Sequence, residues 1–383
     1  MGRDAMREKT GPLPMSGLMV LDFTTLLPGP LATLTMLEAG AEVIKVEPLQ
    51  GDPMRHVPPL WGRDSALFAM LNRGKKSIRL DLEDTRQLEH LLPLIRRADV
   101  LVEQFRPGVM DRLGLGYQSL HTLNPRLVHC SITGYGSSGP RAGTPGHDLT
   151  FQAVTGLLSL SCGTPSRPVM PDFFAAGLAG GTWPALTNIL LALLQRERTG
   201  EGMHLEVSMS SALFMFQSWA IAQGLVEDDW PRSGQGAYTG ANPRYRLYGT
   251  QDGRLVAVAA LEDKYWNILC DALDLLPEER DSKANPIATR KSLTKIFAAR
   301  KAAHWRKVFA ENPCCCAVVA TLEEAMRDMH FHETGVFDHV LENETGDTLP
   351  ANPLALDPAL RVHPQKAATS APALGAHNDM LLK

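Results

Sequence analysis

Apolar and polar positions in the first third of the chain follow two alternating periods. Short runs rich in β-branched and apolar residues at 18–23, 42–46, 78–82, 100–103 and 127–132 predict strands. Between them, 31–39 and 85–97 repeat apolar positions at helical spacing. Such alternation predicts an α/β domain with a mostly parallel sheet and helices on both faces. Loops 22–30 and 133–140 then share the sheet edge at which open α/β sheets bind ligands. From His147 to Gly224 the pattern turns helical, and 175–198 is long enough for a central buried helix. Gly177, Gly180 and Gly181 in its first part fit two readings, close helix packing or backbone N–H groups offered to a ligand. The Gly/Ser/Asn-rich stretch 233–243 reads as a linker. Runs at 254–260, 263–272, 293–311, 315–319 and 322–327 predict a smaller α+β domain beyond it. The expected organisation is a large domain over 17–225, a small domain with its linker over 226–330, and a return to the large domain over 331–383.

Composition narrows the class. Of 383 residues, 44% are hydrophobic and 21% charged, which fits a globular chain rather than a disordered or fibrous one. Lys+Arg 38 against Asp+Glu 42 leaves a net charge of -4, so no cationic field is available for nucleic acid or an anionic membrane. Cys130, Cys162, Cys270 and the run Cys314, Cys315, Cys316 form none of the spaced pairs of a zinc site or a secreted disulfide framework, so no metal and a reducing, cytoplasmic setting are expected. Residues 1–16 lack the apolar stretch of a secretory signal and read as a loose leader. The apolar stretch 186–194 falls short of the ~20 residues that span a bilayer and reads as buried helix.

The commonest motifs are missing. Neither GxGxxG nor GxxxxGKS follows the first strand, and HExxH, GxSxG and DxDxDG do not occur. Basic turns remain near the ends of predicted strands. Arg55, Arg73, Lys75, Arg106 and Arg112, converging at one sheet edge of an acidic protein, would suit a phosphate-bearing anion.

The segments Val43-Ile44-Lys45-Val46-Glu47-Pro48, Gly51-Asp52, Asn72-Arg73-Gly74-Lys75-Lys76, Phe105-Arg106-Pro107-Gly108 through Gly114, and Asn124-Pro125-Arg126 occur in order along the chain. Gly134-Tyr135-Gly136, Arg196-Glu197-Arg198-Thr199-Gly200 and Leu374-Gly375-Ala376-His377 follow. Together they resemble the class III CoA-transferase family, which includes formyl-CoA transferase, carnitine CoA-transferase and α-methylacyl-CoA racemase. The resemblance implies a Rossmann-like large domain built from both chain ends, a smaller α+β domain, acyl-CoA thioesters as substrates, no cofactor beyond their CoA moiety, and two subunits threaded through each other as an interlocked homodimer. It places CoA on Leu80, Asp81, Gln104, Phe105, Arg106, Arg112 and Tyr135.

The same resemblance bears on the reaction. Gly146-His147-Asp148 resembles the motif that supplies a catalytic His to the racemases, where many transferases carry an aromatic residue. Asp172 matches the catalytic Asp of both branches, and Glu262 resembles a racemase Glu that approaches the His, across the dimer. Transfer of CoA needs only a carboxylate that attacks the thioester to form an anhydride. Inversion at the α-carbon needs two acid/base groups on opposite faces, which His147 and Asp172 would supply. Backbone N–H groups at the Gly-rich helix start are candidate donors to the enolate oxygen. The expected enzyme is an α-methylacyl-CoA racemase-like isomerase, with CoA transfer through Asp172 as the alternative and a non-catalytic acyl-CoA binder third. Two features lean toward transfer: the Lys45–Pro48 and Asn72–Lys75 segments, and Phe173-Phe174, whose bulk would narrow an acyl pocket.

Overall fold

The computed structural model describes residues 11–362 and 368–382. The first ten residues of the expected leader and residues 363–367 of the expected return lie outside the described residues. The rest of the leader is not loose. Met15 is buried, and its N–H donates to the Ala39 carbonyl at 2.9 Å.

Two compact units divide the chain. The first gathers residues 1–155, 174–216 and 332–383; the second gathers 156–173 and 217–331. In the first unit six strands form one parallel sheet: β1 (Met19–Phe23), β2 (Glu42–Glu47), β3 (Lys76–Arg79), β4 (Val100–Glu103), β5 (Val128–Thr133) and β6 (His204–Ser208). Their order is β6-β5-β4-β1-β2-β3. Consecutive residues of β1 are all buried, so both faces of the sheet are covered, as parallel sheets require. Met19, Leu21 and Phe23 pack with Leu91, Leu94 and Ile95 of helix α3 (Thr85–Arg97), while α1 (Pro28–Glu38) and α7 (Trp183–Thr199) pack on the sheet from elsewhere in the chain.

Two expectations shift. The third strand ends at Arg79 rather than running over 78–82: Leu80 makes the last bond to β2, its N–H donating to Glu47 O at 3.0 Å, and Asp81 then accepts from the Glu83 N–H to close a turn. The sixth strand falls in a region read as helical; its sequence HLEVS alternates as a strand does but is too short and polar to stand out. The central helix lies where it was expected, Ala176–Thr199 against 175–198. A π-helical turn over Ala176–Thr182 runs into α7, giving 24 residues whose most apolar 18-residue window has a mean hydropathy of 1.3. By length and composition that run could cross a bilayer, yet 56% of the window is buried within the fold, as in a core helix.

Residues of the C-terminal segment close the β3 edge. The His377 N–H donates to the Ser77 carbonyl at 3.0 Å, and the Ser77 N–H donates to His377 Nδ1 at 3.1 Å. One residue on, the Asn378 amide both accepts from the Arg79 N–H (2.8 Å) and donates to the Arg79 carbonyl (2.9 Å). Side chains thus complete the ladder where another strand could otherwise pair.

The second unit holds a three-stranded antiparallel sheet, Tyr245–Gly249, Leu255–Ala259 and Cys316–Val318, around a core that includes Trp266, Phe297 and Trp305. The run read as one helix over 293–311 is two, Pro286–Ala298 and Ala302–Glu311. The break is fixed by Asp252, whose carboxylate accepts the Ala302 N–H at 3.0 Å.

His129 on β5 is buried with neither ring nitrogen hydrogen-bonded, its ring 5.1 Å from that of His204. Burial, with His204 adding to it, pushes its pKa down from 6.5 to about 4. A histidine that protonates more readily unfolded than folded adds nothing unfavourable above 6.5 and costs stability as pH falls from there toward 4. Urea unfolding should show His129→Leu to be less acid-sensitive than the native protein, by roughly 2 kcal/mol between neutral pH and about pH 5. Equal losses in the two proteins would contradict this.

Candidate active site

In a parallel sheet all strands end at one edge, and here the order reverses between β1 and β4, the switch point at which such sheets bind ligands. The loops after β1 and β4 meet there. Gly29 N–H, at the start of α1, donates to Gln104 Oε1 at 3.3 Å. Gly29 is required by close approach, since a Cβ would stand 2.3 Å from the Thr24 side chain.

Charge at this edge is sorted by burial. Lys75 Nζ pairs with Asp22 at 2.9 Å and Lys45 Nζ with Asp52 at 2.9 Å, all four groups buried. Burial alone would raise the Asp22 pKa, but the two ammonium groups outweigh it and hold the carboxyl well below its ordinary range; burial pulls Lys75 down to about 8. Arg55 is bound to Glu47 (2.7 Å) and Asp64 (3.0 Å), and Arg73 to Glu38 (3.1 Å) and Asn352 (2.6 Å). These pairs correct the expectation that five cations converge on one anion. Arg55, Arg73 and Lys75 neutralise internal carboxylates, whereas Arg106 and Arg112 are exposed and form no ion pair among the described residues.

The segment carrying Arg106 is set by its neighbours. Glu103 is buried at the end of β4, accepts the Phe105 N–H at 2.7 Å, and has its pKa raised by that burial. Phe105 packs against the core, and Arg106 follows into solvent. Arg112 closes the short helix α4 (Val109–Arg112) that begins after Gly108. Leu80 turns its side chain into the core, so it can meet a ligand only through its backbone; Asp81 beside it is half-buried. Tyr135 follows β5, its ring edge-on to Phe151 at 5.1 Å.

Phe151 went unnoticed in the sequence. A Cβ on Gly134 or on Gly146 would come within 2.7 or 2.6 Å of its ring, so both ends of the intervening loop rest on this one side chain. His147 follows directly. It precedes α6 (Asp148–Val154), its N–H held by Thr150 Oγ1 at 2.9 Å, while its imidazole is exposed and unpartnered among the described residues. Asp148 reaches out of its helix: Oδ2 accepts the Gly177 N–H at 2.7 Å and Oδ1 accepts Gln152 Nε2 at 2.6 Å. That bond removes Gly177 from the expected enolate donors, and the Leu178 N–H is likewise spent on Phe174 O. Gly180 serves packing, since a Cβ there would lie 2.3 Å from the Met209 carbonyl.

Asp172 and Glu262 belong to the second unit. Asp172 is exposed, and its carboxylate accepts no hydrogen bond among the described residues. Glu262 is exposed at the N-cap of Asp263–Ala272 and makes no cap bond. Its turn is held by Arg244, a buried residue that the sequence did not single out, which donates to Leu261 O at 3.2 Å and stacks on Trp266 at 4.8 Å.

The family model of CoA-transferase family III matches residues 15–378. The chain is 35% identical to the acetyl-CoA:oxalate CoA-transferase of Acetobacter aceti over 77% of its length and 78% of that protein. It is 31% identical to the alpha-methylacyl-CoA racemase of Homo sapiens over 97% and 93%. Among solved structures, that of Rv3272 from M. tuberculosis superposes with a TM-score of 0.81 at 28% identity, covering 97% of this chain and all of that one.

The sorting of charge predicts a contrast. By calorimetry, Arg112→Ala should weaken CoA binding by ~1–3 kcal/mol with melting unchanged, as expected for loss of a charge-assisted phosphate contact. Arg55→Ala should instead lower stability by about 3–5 kcal/mol by leaving Glu47 buried and unpaired. Unchanged CoA affinity in a folded Arg112→Ala protein would remove that residue from the site.

Proposed function

Because the chain belongs to CoA-transferase family III, we propose that it acts on acyl-CoA thioesters and epimerises the α-carbon of a 2-methylacyl-CoA by two-face proton exchange. The observation that carries this reading is His147: an exposed imidazole without a partner among the described residues, its backbone fixed by Thr150 and Phe151, on the loop that leaves the ligand-binding edge of the sheet. Transfer of CoA has no need of an acid/base group there, whereas inversion does.

In the proposed reaction the CoA phosphates lie against Arg106 and Arg112. Thioester conjugation acidifies the α-proton. One of His147 and Asp172 removes it, the electron pair delocalises onto the thioester oxygen as an enolate, and the other group delivers a proton to the opposite face. Each enantiomer is the other's product, so the two residues exchange roles. Glu262 would steady the protonated imidazole. Neither this chemistry nor its alternative draws on a group beyond the substrate's CoA moiety.

The alternative is CoA transfer between carboxylic acids. It is favoured by the open Asp172 carboxylate and by the 35% identity to a CoA-transferase. There Asp172 attacks the thioester carbonyl, CoA thiolate leaves, and an acyl anhydride remains on the carboxylate.

The interlocked homodimer belongs to the same proposal. Leu190, Leu191 and Leu194 share a face of α7 and stand 40%, 59% and 63% exposed, an apolar surface that a second copy would cover. Sedimentation should give a dimer that does not dissociate on dilution without unfolding, and a stable, active monomer would exclude it.

His147→Ala separates the two reactions. With a 2-methylacyl-CoA in D₂O, the native enzyme should wash deuterium into the α-position from either enantiomer, and the variant should lose racemisation by at least ~10²-fold. The transferase reading replaces this one if the native protein exchanges no α-proton, His147→Ala moves CoA at full rate and Asp172→Ala does not.

A further inference from the structure

We propose that Asp148 is a positioning residue for this reaction: its carboxylate anchors the backbone amide five residues beyond Asp172 to the turn that presents His147. The inference rests on the racemase reading above and adds a residue to it.

Asp148 stands at the first position of α6, where a carboxylate ordinarily serves its own helix. Here it does not. Oδ2 accepts the Gly177 N–H at 2.7 Å, and Oδ1 is held by Gln152 Nε2 at 2.6 Å, with Gln152 itself buried. Both oxygens are therefore engaged and the carboxylate cannot swing. Gly177 lies in the π-helical turn Ala176–Thr182, at the start of the 24-residue helical run, where backbone N–H groups lack partners within the helix and a negative charge is favoured. A π-turn at this place is a departure from regular geometry of the kind found near functional sites.

The consequence is mechanical. His147 and Asp148 are adjacent, so whatever fixes Asp148 fixes the backbone of His147. Gly177 follows Asp172 by five residues, so whatever fixes its amide fixes the end of the segment leading out of Asp172. One charge-assisted bond acts on both. Two-face exchange is more sensitive to such placement than binding is, because a displacement of about 1 Å of an acid/base group can cost ~10²-fold in rate while leaving remote phosphate contacts intact.

The test compares native enzyme with Asp148→Ala and Asp148→Asn, each verified by melting temperature. Amide exchange by mass spectrometry should be faster in Asp148→Ala for peptides covering residues 174–182. With a 2-methylacyl-CoA in D₂O, kcat for inversion should fall at least ~10-fold while KM stays within about 3-fold. The ratio of α-deuteration with retention to α-deuteration with inversion should rise, since one face can still exchange when delivery from the other is misplaced. General loosening of the fold would lower both and leave that ratio alone. Asp148→Asn, which keeps a carbonyl oxygen for the Gly177 N–H, should restore amide protection and most of kcat. The proposal is overturned by a native kcat and ratio in folded Asp148→Ala, by an effect confined to KM, or by an asparagine variant that is protected yet as slow as the alanine one. If the native enzyme exchanges no α-proton, it is the racemase reading that fails. The anchor is then judged on CoA transfer to an added carboxylic acid, which Asp148→Ala must slow at least ~10-fold and which an unchanged rate would refute.

Discussion

Two lysines without exposure, Lys45 and Lys75, sit among Asp22, Asp52 and Glu47 near the carboxyl ends of β1 and β2, Lys75 reaching in from just before β3, and the layout of the ligand edge depends on how those charges are matched. Each ion is stripped of water, a cost of several kcal/mol that only close pairing offsets. Pairing therefore dictates backbone position. Lys45 also donates to Thr24 O at 2.7 Å, and Lys75 to Pro30 O at 2.9 Å, so the loop after β1 is pinned at both ends by the same cations that satisfy the carboxylates. With that loop fixed, Gly29 can meet Gln104 and the crevice at the switch point takes its shape. The exposed cations are then only those outside the network.

How far the sequence could be read follows from what each signal measures. Strand and helix periods report which positions are buried, and they located five of the six parallel strands, with the third displaced at its end by a turn that Asp81 closes. They could not report which charges are buried. Arg55 and Arg106 look alike in a string of letters, yet one is enclosed by Glu47 and Asp64 and the other meets solvent; carboxylates distant in sequence make the difference. Likewise Gly134, Gly146 and Phe151 are bound by a shape relation that no spacing rule contains. His147 and Asp172 were legible through family resemblance alone, because an exposed His and an exposed Asp carry no local signature of chemistry. Asp148 was visible as a residue, but its bond to Gly177 spans 29 positions and appears only in three dimensions.

The candidate chemistry is distributed unevenly. The exposed Arg106 and Arg112, Tyr135 and His147 are placed by one unit, while Asp172 and Glu262 are placed by segments that cluster with the other. A fold divided in this way can keep one set of these residues fixed while varying the other. That division accords with a family whose members include both a CoA-transferase and a racemase at similar identity to this chain.

The closure of β3 by His377 and Asn378 bears on the order in which the molecule can be made. The first unit draws on three stretches of chain, whereas most of the second, 217–331, is contiguous. During synthesis the contiguous part leaves the ribosome whole and can fold as soon as it does. The sheet cannot seal its edge until Gly375 and the residues after it emerge. Translation therefore leaves an unsealed strand exposed for the time needed to make the intervening ~300 residues, at roughly 5–20 residues per second. For a chain proposed to thread through its twin, that delay is the interval in which two nascent copies could pass through one another before either is locked.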